Sequence, residues 1–357
     1  MASTGINFEN LTPDNGAVRD VAQIVMSSVF APDALGGIVN FFPNVHKGDK
    51  VGVIGEFGLI GQAYAGCGGD YDATMLPTNE KEWDINAWQI KEKICFADLQ
   101  QTFVKYMFQN GTDMGDLTAT EYMQDIVAPR LELAIKKLVW RLAWFGDKAA
   151  AATSAGGVLK NAGDAKYFNV TDGLWKKAFE AVAAKTMPRV AVDANTKTSF
   201  AAQTSAINTS GVATAIFDQL ITEASPALRG MGGTIYCTLA LKDALVADLK
   251  KNNAGSDLQW KSLFDGIQEF NYNGVRVLAC PAWDEIIKGY EGSATAWNKP
   301  YRAIYTTPEN LGVGSSSSTE LADLRVWFDM KDDYNYLKAV DSLGTNILQD
   351  DLAVVAY

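Results

Sequence analysis

Side chains that could do chemistry are few and widely separated in this chain of 357 residues. Its only histidine, His46, lies in the polar stretch NVHKGDK, where an exposed turn is the expected setting. Catalysis by a serine or cysteine nucleophile needs such a base beside it, and a zinc site needs several closely spaced ligands. The four cysteines, Cys67, Cys95, Cys237 and Cys280, form no C-x-x-C pair, so we expect free, mostly buried thiols. We predict no catalytic residue, no metal site and no cofactor.

Two pairs of adjacent carboxylates remain as candidates for carboxylate chemistry, Asp332-Asp333 and Asp350-Asp351. Neighbouring residues on a strand point to opposite faces, so a single site could not use both members of a pair. Solvated turn residues are the expected interpretation.

A glycine-rich stretch, VGVIGEFGLIGQAYAGCGG, occupies residues 51–69. Its first glycines, Gly52, Gly55, Gly58 and Gly61, recur as G-x-x-G and not as the G-x-G-x-x-G of dinucleotide-binding folds, and no G-x-x-x-x-G-K-[ST] phosphate loop occurs. Glycine gives the backbone freedom at an entropic cost. The pattern predicts a long, bendable two-stranded excursion over residues 45–97, whose return leg alternates apolar and polar residues around Trp83 and Trp88.

A long amphipathic helix is predicted over residues 118–145. Thr118 and Glu121 form a capping-box pattern, and Pro129 predicts a kink or break inside the helix. Trp140 and Trp144 lie one turn apart on the face opposite the main apolar stripe. A helix that is apolar on two faces is buried on both, so its second face meets either the protein's own sheet or a neighbouring subunit.

The rest of the chain divides into an arm and a second α/β body. Residues 1–44 look like an extended arm with one short helix. In the second body we expect three helices, a strand with Thr238 as helix cap, a hairpin turning at Asn273-Gly274 and a further strand. The predicted helices are 172–185, 211–228 and 240–252, and the predicted strands are 233–239 and 299–314. The chain then closes on a pair of strands, 323–340 and 346–357.

Charge and composition limit the class of protein. The formal net charge is −11, and charged residues make up 20% of the chain. A dedicated nucleic-acid binder would carry a basic stripe, so the acidic balance argues against that class. The N-terminal stretch has no signal-peptide pattern, and no apolar run is long enough for a membrane helix. Aromatic residues are numerous but lack the interleaved Arg and Lys that stacking on single-stranded nucleic acid would want, so they favour a core and subunit interfaces.

The order of these segments resembles the major capsid protein of tailed bacteriophages with the Hong Kong 97-type fold. The resemblance covers nearly the whole chain and is carried by the glycine-rich excursion, the long helix, GTIYCTLALKDALVADLKK, NYNGVRVLACPAW and the ending TNILQDDLAVVAY. It implies an α+β fold divided into four parts. These are an N-terminal arm (1–44), an extended loop (45–97), a peripheral domain (98–171 and 320–357) with a spine helix (118–145), and an axial α/β domain (172–319).

The resemblance implies a structural protein and not an enzyme. Many copies would self-assemble, as pentamers and hexamers, into an icosahedral head that encloses double-stranded DNA without binding it specifically. Scaffolding, portal and decoration proteins would be partners; the protein would reside in the virion after assembly in the host bacterial cytoplasm, with no membrane contact. The candidates for contacts between subunits are Gly52, Gly55, Gly58, Gly61, Trp83, Trp88, Trp140 and Trp144.

Two departures from the family pattern and two alternatives accompany this hypothesis. The cleaved scaffolding segment of some members has no counterpart here, and the Lys–Asn–Glu crosslinking trio of others has no matching positions. One alternative is a nanocompartment shell of the same fold that encloses an enzyme. The other is a soluble α/β enzyme with a carboxylate site, built on the acidic pairs.

Overall fold

Two large β-sheets, a separate two-stranded hairpin and seven α-helices form the part of the chain that the computed structural model describes, residues 38–54, 78–95, 128–152, 158–252, 261–263, 267–317, 323–329 and 334–357. The helices within this part are α1 (Ala128–Phe145), α2 (Leu174–Ala183), α3 (Phe200–Ile207), α4 (Val212–Glu223), α5 (Pro226–Met231), α6 (Leu239–Asn252) and α7 (Pro281–Tyr290). The strands are β1 (Asn40–Phe42), β2 (Lys50–Ile54), β3 (Thr78–Glu82), β4 (Asn86–Cys95), β5 (Arg189–Val190), β6 (Thr234–Thr238), β7 (Lys261–Leu263), β8 (Ile267–Tyr272), β9 (Val275–Cys280), β10 (Ala303–Thr306), β11 (Leu311–Gly314), β12 (Asp323–Asp329), β13 (Tyr334–Ile347) and β14 (Ala353–Ala356). The α+β class expected from the sequence is confirmed.

The larger sheet has seven strands in the order β5-β14-β10-β6-β9-β8-β7. Its central strands are apolar at nearly every position because helices cover both faces. Alternate residues enter two different cores: Tyr236 and Ile304 face α1, α2 and α7, whereas Ile235 and Tyr305 face α4 and α6. This double burial explains why AIYT and AVVA do not show the apolar–polar alternation of a half-exposed strand.

The smaller sheet is arranged around the long strand β13. On one side β13 pairs with β4, and on the other it pairs with β12 and then β11, which in turn pairs with β1. One face of this sheet contributes Trp88, Ala339 and Leu343 to the same core that contains α1. The two sheets therefore share a hydrophobic core and are not separate bodies.

Local sequence signals located several elements correctly. The turn at Asn273-Gly274 joins β8 to β9, with φ of 47° and 80° at its two residues, as a two-residue hairpin turn requires. The predicted helix 172–185 is α2, and the predicted helix 240–252 is α6. The predicted start of the long helix, residues 118–127, lies outside the described residues, where the helix is seen from Ala128 to Phe145.

Three predicted elements differ from the structure. The predicted helix 211–228 is two helices, because Pro226 opens a new one after Ser225 caps it with its side chain. The predicted strand 299–314 is split at Pro308 into β10 and β11, which belong to different sheets. The cap of α6 is not Thr238, whose hydroxyl makes no hydrogen bond; the carboxylate of Asp284 accepts from the first backbone N–H groups of that helix instead.

The predicted pairing of the two terminal segments, 323–340 with 346–357, is also wrong. Residues 323–340 contain β12 and the first half of β13, which pair with each other. The last strand, β14, lies in the seven-stranded sheet between β5 and β10. Either pairing would satisfy the backbone hydrogen bonds, so the composition of these segments does not decide between them.

Candidate assembly surfaces

A two-stranded hairpin stem projects from the smaller sheet. Strands β2 and β3 pair antiparallel from Lys50 opposite Glu82 to Ile54 opposite Thr78. Gly52 lies in this stem, and a Cβ added to it would meet nothing within 4 Å. Close packing is therefore not the reason for glycine at this position. Gly55, Gly58 and Gly61 lie outside the described residues.

Trp83 anchors the base of this stem to the smaller sheet. It follows β3 directly, is 1% exposed, and exchanges backbone hydrogen bonds with Gly48 and Asp49 across the stem. Its indole lies on Gly312 and Gly314 of β11, where an added Cβ would come within 2.9 and 3.0 Å of the ring. The glycines of LGVG are thus the flat surface that the indole needs.

Ion pairs surround the end of the hairpin stem that Trp83 anchors. Asp84 accepts from Lys148 and lies 3.4 Å from Lys47, and Lys81 pairs with Asp350. Burial alone would raise the pKa of Asp84, but the hydrogen bonds from Lys148 and Asn86 outweigh it, so the pKa lies below its usual value. The hairpin stem is therefore fixed to the body of the subunit by an indole and by charges on both sides of it.

A cluster of four tryptophans joins α1 to α2 and α7. The ring centroid of Trp144 lies 4.5 Å from Trp283, 6.0 Å from Trp175 and 6.4 Å from Trp140. Trp144 and Trp283 are fully buried, and edge-to-face ring pairs of this kind stabilise a core beyond the area they bury. The tryptophan face of α1 therefore packs at this end against the protein's own body.

A second aromatic group contains cationic side chains that sequence reasoning missed. Arg302 is 1% exposed and forms an ion pair with the buried carboxylate of Glu291. The ammonium of Lys299 lies 3.9 Å from the ring centroid of Phe179 and 4.1 Å from that of Tyr357. No spacing rule in the sequence links these residues, because they come from α2, from residues 291–302 and from the position that follows β14.

These groups line a cleft of about 350 Å³. Burial first, and then the guanidinium groups of Arg302 and Arg189, lower the pKa of Lys299 to about 8. Lys176 and Glu180 lie at the same cleft, so its wall carries both signs of charge.

The residues that the sequence offered for catalysis or metal binding lie in an exposed turn, in the buried core and in an ion pair. His46 is exposed in a turn, and its backbone N–H donates to Asp49 at 2.7 Å. Cys237 and Cys280 are free and buried, and burial raises the pKa of both thiols. Lys81 and Thr186 each contact one oxygen of the Asp350 carboxylate, so both oxygens have partners within the subunit. Asp332 and Asp333 lie outside the described residues, as does Cys67.

No group of three or more histidine, cysteine, aspartate or glutamate side chains is placed to hold a metal ion in the part of the chain that the structure describes. None of the helices seen there is both long and apolar enough to cross a membrane.

The fold as a whole is similar to solved structures of phage capsids. No protein-family model matches the chain, and no curated protein matches it. A structure of the satellite phage P4 procapsid, which includes the size determination protein Sid, aligns with a TM-score of 0.50 at 14% identity over 94% of this chain and 98% of that one. A structure from Gordonia phage Cozz aligns with a TM-score of 0.51 at 12% identity over 90% of this chain and 84% of that one.

The chain has the fold of tailed-phage capsid proteins. Within this capsid-protein fold the tryptophans named as contact candidates divide into two groups. Trp83, Trp88 and Trp144 are at most 2% exposed, so a single subunit accounts for their burial without a neighbour. Trp140 is partly buried beside Trp144 and retains a face toward the subunit's surface. Among the members of the predicted contact set that the structure describes, Gly52 in the stem and Trp140 on α1 are thus the accessible ones.

Proposed function

We propose that this chain is a major capsid protein, many copies of which form the icosahedral head of a tailed bacteriophage around double-stranded DNA. The observation that carries the proposal is the alignment with the P4 procapsid structure over nearly the full length of both chains. Agreement along a whole chain at 14% identity reflects a shared architecture, since local motifs are not preserved at that level. The protein acts structurally and not as an enzyme.

The Hong Kong 97-type division of the chain follows as part of this proposal. Residues 1–44 are the arm, 45–97 the extended loop, 98–171 and 320–357 the peripheral domain with its spine helix, and 172–319 the axial domain. In the structure β11 pairs in the smaller sheet and β14 pairs in the seven-stranded sheet. Under the proposed division, each of the two domains would therefore contribute a strand to the sheet of the other.

Assembly would use heterologous contacts between identical subunits. Such contacts form closed rings when the rotation between neighbours closes, which gives pentamers and hexamers. The hairpin stem is rigidly held at Trp83 and Asp84, so the excursion beyond Ile54 would reach a neighbouring subunit from a fixed origin. Scaffolding, portal and decoration proteins would complete a head built in the bacterial cytoplasm and retained in the virion.

Electron microscopy of the purified protein tests this proposal directly. We expect closed particles or capsomer rings, with packaged or co-purifying DNA when the neighbouring phage proteins are present. Particles that contain a cargo protein in place of DNA would indicate a nanocompartment shell. Monomers under every condition of concentration and partner would contradict the shell function.

A deletion tests the assigned role of the loop. Replacing residues 55–77 by a short Gly-Ser turn leaves the paired stem of β2 and β3 intact. We expect a folded, soluble subunit that forms no shells, while Gly289→Ala, at an open position of α7, assembles normally. Shells of normal size from the deletion variant would show that the loop is not an assembly element.

A further inference from the structure

Arg141, on α1, is fixed at the surface of the subunit by only one of its N–H donors. Its Nε donates to the carbonyl oxygen of Tyr167 at 3.1 Å, and its Cζ lies 5.8 Å from the ring centroid of Tyr167 and 5.7 Å from that of Phe168. Within the part of the chain that the structure describes, the two terminal nitrogens of Arg141 have neither a hydrogen-bond acceptor nor a carboxylate partner. Burial lowers the pKa of the guanidinium from its usual 12.5, yet arginine stays charged at neutral pH. A partly buried charge without an anion is costly, so an anion from outside the subunit would stabilise it.

Two lysines extend this positive charge. The ammonium of Lys166 lies 4.8 Å from the centroid of the same tyrosine ring, so two cations share that ring. Lys160 lies close by: its backbone N–H donates to the carbonyl oxygen of Tyr290, whose ring centroid is 5.6 Å from that of Phe168, and its ammonium donates to the carbonyl oxygen of Lys288. None of the described carboxylates forms an ion pair with either lysine. The basic patch thus consists of Arg141, Lys160, Lys166 and Tyr167.

The carboxylates on the same elements leave the patch positive. Asp164, in the turn between the two lysines, accepts from the side-chain amide of Asn161 at 3.3 Å and offsets one positive charge at longer range. Glu285 pairs with Lys137 at 2.9 Å, and Asp284 accepts from the first N–H groups of α6. The formal charge of the whole chain is −11, so the patch is opposite in sign to the subunit that carries it.

The exposed ring of Tyr167 gives the patch an apolar component. Tyr167 is 49% exposed, and few large hydrophobic side chains are exposed in the described part of the chain. Arginine and tyrosine are residue types that protein interfaces favour, and the guanidinium fork matches a carboxylate with two parallel hydrogen bonds. A phosphate backbone would use the charges but leave the ring uncovered. The composition therefore favours a protein partner that carries a carboxylate over a nucleic acid.

The sign of the charge restricts how two copies of the chain could meet at this patch. Two copies placed patch to patch about a two-fold axis would bring like charges together, which is unfavourable. A head-to-tail contact instead sets the patch of one copy against a different face of its neighbour. Contacts of this kind can close into rings.

We propose that the basic patch binds a carboxylate-bearing face of a second copy of this chain in a head-to-tail contact, with Arg141 paired to a carboxylate. Charge complementarity supports this partner, because a subunit with a net charge of −11 offers acidic surface to its neighbours. The inference rests on the proposed shell function only in that copies of the chain meet. It goes further by assigning one surface and one orientation to that meeting.

Carbodiimide cross-linking of a mixture of unlabelled and isotope-labelled protein tests the contact on the unaltered chain. The reagent joins an amine to a carboxylate that it already contacts, and mass spectrometry of mixed-isotope peptides separates links between copies from links within one copy. We expect links from Lys160 or Lys166 to an aspartate or glutamate of another copy. Links between copies that involve neither lysine, or no links between copies at all, would contradict the proposal.

Substitutions test the same contact by its strength. Arg141→Gln/Lys166→Gln should weaken association on the order of 10- to 100-fold, because hydrogen bonds to charged groups contribute that much. The charge-matched control, Arg229→Gln/Lys250→Gln, lies at exposed positions outside the patch and should associate normally. Arg141→Lys keeps the charge but loses the fork, so it should fall between them. Sedimentation velocity measures all four proteins, circular dichroism confirms their folding, and added salt should weaken the association of the unaltered chain by screening.

The outcomes separate this contact from the shell function. Weaker association of the test variant alone supports the proposal, whereas equal association of the test variant and the control overturns it. Unchanged association with a loss of affinity for duplex DNA would show that the patch contacts nucleic acid, and the proposal would be wrong. Normal shells from the test variant would defeat this inference and leave the shell function intact. Salt-sensitive oligomers of the unaltered chain that carry the expected cross-links but never close into shells would support the contact and contradict the shell function.

Discussion

The indole of Trp83 lies so close to the backbone of Gly312 that a Cβ added at Gly312 would approach it within 2.9 Å. The contact joins the hairpin stem to strand β11 without any polar group. Gly344 on β13 supports the neighbouring Ile85 in the same way, where an added Cβ would lie 2.6 Å from that side chain and 2.9 Å from the Asp84 carbonyl oxygen.

Gly344→Ala should lower the free energy of unfolding by about 1–3 kcal/mol, because the backbone oxygen cannot move away from the added carbon. Gly52→Ala is the matched control, since it is also a strand glycine but has open space around it. It should be neutral or stabilising by about 0.5 kcal/mol. Urea unfolding of both variants checks the difference, and equal stabilities would contradict the role given to the close contact.

Asp284→Ala should destabilise the subunit by about 1–3 kcal/mol, because two buried N–H groups at the start of α6 lose their acceptor. The Asp284 carboxylate accepts from Leu239 at 2.5 Å and from Ala240 at 3.1 Å. Burial raises the pKa of Asp284, so Asp284→Asn, which keeps one acceptor and removes the buried charge, should cost less than alanine. Glu285→Ala, at an exposed neighbouring position, is the control for helix propensity. A cost for Glu285→Ala as large as that for Asp284→Ala would refute the capping role.

Asp84→Asn should lower the free energy of unfolding at neutral pH and leave it unchanged in strong acid. The folded protein holds the pKa of Asp84 below its usual 3.8, so the carboxylate stabilises the fold above that pH. This contribution is lost as the pH falls through the lowered pKa. We expect a difference of about 0.5–1 kcal/mol at pH 7 that shrinks to zero in acid. Thermal unfolding of both proteins across the acid range measures it, and a difference that persists at the lowest pH would contradict the ion-pair explanation.

Lys299 should react with small acylating reagents faster than other lysines near pH 8. Its pKa is lowered to about 8, so about half of its amine is neutral there, whereas an ordinary lysine is almost wholly protonated. The residue lines the cleft and is only partly buried, so a small reagent can reach it. A peptide mass-spectrometry time course compares Lys299 with the exposed Lys251. Slower labelling of Lys299 would show that the aromatic rings shield the amine.

Local signals in the sequence predicted local structure well. Asn273-Gly274 specified a two-residue turn because few other residue pairs adopt positive φ at both positions, and the spacing of apolar residues located α2 and α6. The partly apolar second face of α1 correctly indicated burial on both sides. The sequence left open what covers that face, and for Trp144 the answer is α2 and α7 of the same chain.

Features that depend on distant pairing could not be predicted. The choice of sheet for β11 and β14 depends on which partner strand is available and not on their own composition. The cap from Asp284 comes from a helix 45 residues away in sequence from Leu239, so no motif near α6 reveals it. The pairing of Lys91 with Lys338 is equally hidden, because it arises only through the register of β4 with β13.

The position of β14 also determines when the seven-stranded sheet can be completed during synthesis of the chain. Strand β5 has β14 as its pairing partner in the seven-stranded sheet, although about 160 residues separate the two strands along the chain. The ribosome makes β5, β6, β9 and β10 well before β14, so the sheet cannot be completed on a nascent chain that lacks residues 353–356. A subunit still being translated therefore cannot reach its final fold, and under the proposed shell function incomplete chains could not enter a growing shell.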